Sequence, residues 1–78
     1  MIWNVKKIKE TETTILIGFS KNDSFDGLIK YNKNAEQFEL VSIANDCDEF
    51  ESKRLFQFLY TLIQQNMLSV KPYSIRLG

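Results

Sequence analysis

The chain has 78 residues, 44% of them apolar and 13% aromatic, a composition that supports one globular core rather than a disordered chain. Ten basic residues balance ten acidic ones. The electrostatic drive behind non-specific nucleic-acid or anionic-membrane binding is therefore missing. There is no His and only one Cys, Cys47, which excludes Cys/His zinc clusters, an intramolecular disulfide and His-dependent nucleophilic catalysis.

In chain order, Trp3 and Val5 alternate with Asn4 and Lys6, so residues 2–9 read as a strand. Glu10-Thr11-Glu12 is a short polar connection. Residues 13–19 follow, with Ile15, Ile17 and Phe19 on one face and Leu16 on the other. Apolar groups on both faces suit a central strand. Residues 20–27, Ser-Lys-Asn-Asp-Ser-Phe-Asp-Gly, read as a loop, and the spacing of Asn22, Ser24, Asp26 and Gly27 loosely matches the start of a calcium loop. That match fails at Lys33, where a Glu ligand belongs, and strands flank the segment instead of helices. Residues 28–32 form a third strand, Asn32 to Ala35 a turn, and residues 37–44 a fourth strand.

A helix is expected from Asp46 or Asp48 to about Met67. Asp46 with Glu49, and Asp48 with Glu51, both fit a capping-box spacing. Capping and the helix dipole account for these carboxylates without a metal. Pro72 stops any further helix. Tyr73, Ile75 and Leu77 then alternate with Ser74 and Arg76 in a last strand.

The order β-β-β-β-α-β gives an α+β fold in a single domain, residues 1–78: a mostly antiparallel five-stranded sheet with one helix on one face. Short connections make the first four strands a meander. The last strand is expected beside the first, in spatial order 5-1-2-3-4; the alternative sets it parallel to the fourth.

The helix carries more apolar surface than one sheet needs. Its large side chains sweep about 200° of the circumference, against the roughly 100° of a one-sided helix. Leu55, Phe58, Leu59, Leu62 and Ile63 centre the stripe on the sheet. Phe56, Tyr60 and Met67 form one flank, a candidate partner-binding surface beside the competing claim that it packs under the last strand or a loop. The open sheet face, with Leu16, Leu28 and Leu40, is the rival interface, and Phe25 in the longest loop either anchors that loop or meets a ligand.

Functionally, the sequence supports a non-catalytic protein–protein interaction module, with a protein partner or a second copy of itself as a homodimer. One alternative is a nucleic-acid-binding domain using sheet Lys and aromatic residues, such as Lys6, Lys7, Lys9 and Trp3, or Lys30, Lys33 and Tyr31. Zero net charge makes nucleic acid the weaker partner. Another alternative is a small enzyme or ligand binder using Asp/Glu chemistry. The isolated glycines build no phosphate-cradling loop, and no catalytic residue, cofactor or metal ligand is assigned. Cys47 lies near a helix start, which lowers a thiol pKa, between Asp46 and Asp48, which raise it. The absence of a signal-like apolar region or a membrane-length run makes the cytoplasm the expected location. Lys-rich, Arg-poor usage hints at a bacterial source.

Overall fold

The computed structural model describes residues 2–76. Its elements are β1 (Ile2–Glu10), β2 (Thr14–Ser20), β3 (Gly27–Asn32), β4 (Gln37–Ser42), α1 (Glu49–Gln64) and β5 (Tyr73–Arg76). The five strands form one antiparallel sheet in the order β4-β3-β2-β1-β5. β5 pairs with β1 and not with β4, with Trp3 opposite Ile75 and Val5 opposite Tyr73. This is the expected α+β architecture. Leu77, expected at the end of the last strand, lies outside the described residues.

The core lies between the helix and one sheet face. Trp3, Val5, Ile15, Ile17, Phe19, Ile29, Tyr31 and Ile75 come from the sheet, and Leu55, Leu59 and Leu62 from α1. Burying a side chain of this size contributes about 1.5–3 kcal/mol. Ser52, also on the buried helix face, donates its hydroxyl to the carbonyl of Asp48 at 2.7 Å. The Trp3 indole N–H is buried without an acceptor, a cost of about 1–3 kcal/mol that its packing against Phe19 offsets in part.

Asp48 is the N-cap. Its carboxylate accepts from Glu51 N at 2.7 Å, and the Glu51 side chain reaches back to Asp48 N, completing a capping box. The other expected cap, Asp46, serves the β2–β3 loop instead. The helix also stops earlier than expected. Asn66 adopts a left-handed conformation, φ 56°, which Asn tolerates better than most residues. Asn66 N then bonds to Ile63 O and Met67 N to Leu62 O, the pattern of a Schellman terminus. Helical periodicity therefore does not extend to Met67.

Two register shifts interrupt the sheet. One falls between Lys7 and Lys9 on β1, leaving Ile8 as the extra residue. The other lies where Leu28 opposes Ser42 and Ile29 opposes Leu40, so Val41 is extra on β4. Leu40, expected on the open face, lies before that shift and two residues from Phe38, in regular alternation, so it sits beside Ile29 and packs on the helix-side core as Phe38 does. A bulge on an edge strand twists it away from continued pairing.

Candidate interaction surface

The helix-free face is shaped by a missing side chain. On β2 the residues pointing away from the helix are Thr14, Leu16, Gly18 and Ser20, since Ile15, Ile17 and Phe19 enter the core. A Cβ on Gly18 would lie 2.9 Å from Cδ1 of Ile8 and 3.4 Å from Cβ of Phe25. Glycine makes room for both. Ile8 arrives from the β1 bulge and Phe25 from the β2–β3 connection.

Phe25 has φ 52°. A left-handed conformation at a bulky residue costs on the order of 1–3 kcal/mol and persists only where its surroundings impose it. Ser20 Oγ accepts from Phe25 N at 3.1 Å and donates to Asn22 O. Asn22 Oδ1 accepts from Ser24 N at 2.7 Å. Asp26 accepts from Ser24 Oγ and Asn45 N, bonds that hold its carboxyl below the ordinary range. Asp46 accepts from the backbone N–H groups of Lys21 and Asn22. Burial works to raise the Asp46 pKa, but hydrogen bonds from Cys47, Lys21 and Asn22 overcome it and keep the carboxyl below its usual value.

The loop therefore presents an aromatic ring on the face away from the core. The Lys6 ammonium lies 4.5 Å from the ring centroid. Ile8 and Val70 are 49% and 68% exposed, and with Phe25 they surround an open depression of about 430 Å³. Leu16 and Leu28 are half-buried on the same face.

The helix flank does not form one surface. Phe56 stacks on Phe38 of β4 with ring centroids 5.1 Å apart, so it packs at the edge of the core. Tyr60 is 38% exposed and reaches Glu36 at 3.4 Å. Met67, beyond the early helix terminus, instead lines a groove beside β5 with Phe58 and Tyr73. Of the five residues read from sequence as partner-binding candidates, Leu16 and Phe25 share the open face, while Phe56, Tyr60 and Met67 are divided between the two sides of α1. Ile8, Gly18 and Val70 were missed. Ile8 reaches this face through a bulge that periodicity does not reveal, and Gly18 and Val70 matter there only as its neighbours.

The remaining candidate chemistry is structurally committed. Among the described residues no group of three or more His, Cys, Asp and Glu is placed to hold a metal. Glu49 pairs with Lys53 and Glu51 with Lys21. Trp3 and Tyr31, which a base-stacking surface would need exposed, are buried under the helix. No helix is long and apolar enough to cross a membrane among the described residues.

Cys47 is buried and donates to Asp46 at 3.1 Å. Burial, with the adjoining Asp46 carboxylate, pushes the thiol up to about 12 from an ordinary 9.0. The folded protein thus keeps a proton that the unfolded chain loses above pH 9. Stability is expected to fall between pH 9 and about 12. Cys47→Ala should flatten that limb in denaturant melts, and iodoacetamide at pH 8 should label the native thiol far more slowly than the unfolded one. Equal labelling rates would contradict this placement.

Comparison with protein-family models, characterised proteins and solved structures finds no match to this chain.

Proposed function

We propose that the protein is a non-catalytic interaction module that docks through its helix-free sheet face, and that its partner there is a second copy of the chain. The observation that carries this reading is Phe25, held in a strained conformation so that its ring lies outward beside exposed Ile8 and Val70. Strain of this kind is maintained at binding sites more readily than in plain connections. A rigid aromatic flanked by aliphatic groups is also the usual centre of an interface.

Charge around the patch supports self-association. Exposed Asp23 and Asp26 lie on its loop side, and Lys6 and Lys9 on its strand side, facing the same way as Gly18 and Leu16. A two-fold axis near Phe25 would set each copy's carboxylates against the other's lysines, the self-complementarity that an isologous contact requires. The chain's zero net charge adds no long-range repulsion.

Light scattering coupled to size exclusion tests this. The wild type is expected to rise with concentration from 9.2 kDa toward twice that mass. Ile8→Lys combined with Val70→Lys should hold it at the monomer mass with an unchanged circular-dichroism spectrum, because both side chains are already exposed. A wild type that stays monomeric at high micromolar concentration, or a double variant that still dimerises, overturns the reading.

A further inference from the structure

At the far end of the molecule, between the sheet and the C-terminus of α1, lies a cavity of about 270 Å³. Its polar wall owes its composition to the β1 bulge. In a regular strand Lys7 and Glu10, three residues apart, would point to opposite faces. With Ile8 inserted, Lys7 opposes Ile17 and Glu10 opposes Ile15, so both point to the helix side. There Glu10 joins two ammonium groups, Lys7 and Lys33, each at 2.6 Å. The two lysines hold the Glu10 carboxyl down at about 2. Glu10 and the rim carboxylate Glu36 balance the two cations across the whole lining, so an anion is drawn by local donors and not by net charge: Lys7 gives one bond to Glu10, Lys33 one each to Glu10 and Thr11 O, and each keeps N–H donors to spare.

A second feature points into the same space. Tyr31 is 97% buried (3% exposed), lines the cavity, and its hydroxyl has no hydrogen-bond partner among the described residues. Among the described residues Trp3 Nε1 is the one fully enclosed side-chain polar atom without a partner, so the Tyr31 hydroxyl opens on the cavity, where a ligand or water completes its bond. Burial, followed by the charge of Glu36 and the neighbouring Tyr60, keeps this phenol protonated and able to donate. Ile15, Ile63 and Leu68 supply the apolar wall.

We propose that this cavity binds a small monocarboxylate with a compact apolar body. The carboxylate oxygens take the Tyr31 hydroxyl and the unused N–H donors of Lys7 and Lys33, and the body rests on Ile15, Ile63 and Leu68. Size and charge set the selectivity. The volume falls just below the roughly 300 Å³ at which ligand pockets usually begin, so the ligand is small. Glu36 on the rim repels a second acidic group. Lys7 borders both this cavity and the depression at Phe25, whereas Tyr31 and Lys33 border only the cavity, so substitutions at those two test the site apart from the dimer.

The test is an amide NMR titration with phenylacetate as the probe, phenethylamine as the charge-reversed control and cyclohexylmethanol as the neutral one. Saturable shifts at Ile15, Tyr31 and Ile63 are expected with phenylacetate, with weaker binding of the alcohol and none of the amine. Tyr31→Phe keeps the ring and removes the donor; it should weaken phenylacetate about tenfold with the thermal midpoint little changed. Lys33→Met should weaken it as well, separating an anion site from a merely apolar void. No saturable shift up to the probe's solubility, equal binding of the amine, or unaltered affinity in Tyr31→Phe would each overturn the proposal.

Discussion

Leu59→Ala should lower the unfolding free energy by about 2–5 kcal/mol, as expected for a buried Leu whose site cannot fully collapse. Leu59 is fully buried, between Leu55 and Leu62 on the one helix that covers the sheet. No second element can close over the gap on that face. A domain of this size has a total stability on the order of 5–10 kcal/mol, so the variant loses a large share of it. Each kcal/mol shifts the midpoint of such a domain by about 4–8 °C, so a drop of at least about 8 °C is expected in a calorimetric scan. Phe50, on the same helix but 74% exposed, is the internal control: Phe50→Ala should change stability by less than about 0.5 kcal/mol. A Leu59→Ala variant that melted with the wild type would mean that the helix does not rest on the sheet as described.

Gly27→Ala should cost as much as a core deletion although it adds only one methyl. The new Cβ would stand 2.5 Å from Cε1 and Cζ of Phe19 and 2.9 Å from the backbone nitrogen of Ala44. Gly27 opposes Phe19 across the β2–β3 ladder, so the ring lies over the bare backbone. Phe19 is fully buried and packs against Trp3, leaving the ring no free space to enter, and the Ala44 contact is main chain. Overpacking of this kind costs about 1–3 kcal/mol and more where the backbone must move. Gly18→Ala meets the flexible, half-exposed end of Ile8 at 2.9 Å, and its cost is expected below about 1 kcal/mol. Urea melts of the two variants give the comparison. A Gly27→Ala variant as stable as Gly18→Ala would contradict the Phe19 packing.

The sequence reveals much of this fold because local and long-range signals agree. The two-faced strand around Ile15 and Leu16 lies inside the sheet, and the Asp48–Glu51 spacing marks the helix start. Chain direction makes β5 antiparallel to β1 and parallel to β4, which leaves two placements, and the first of them, beside β1, is the one adopted. Features that depend on a one-residue irregularity were not legible. Alternation cannot locate the extra residues Ile8 and Val41, so it hides the joining of Lys7, Glu10 and Lys33, whereas Leu40 keeps the parity of Phe38 and its helix-side place was legible in the fourth strand's alternation. Periodicity likewise runs through Asn66 and carries Met67 onto the wrong flank, because nothing in an apolar pattern records one left-handed residue. Gly27 looks like a loop glycine by composition, and its packing role appears only when Phe19 is laid across it. Phe25 is the intermediate case. Its place in a polar loop marks it as unusual, but only the hydrogen bonds of Ser20, Asn22 and Asp46 show which way the ring is turned.

The most direct test of a ring held for docking is Phe25→Gly, followed by both unfolding free energy and association. Glycine adopts φ 52° without strain, and that relief offsets much of the half-buried ring's lost packing. Stability is expected to change by no more than about 1 kcal/mol, against the 3–5 kcal/mol typical of a deleted core Phe, while the concentration-dependent rise in mass disappears. A variant that loses several kcal/mol and still associates like the wild type would make Phe25 an ordinary core anchor and would contradict the proposed interface.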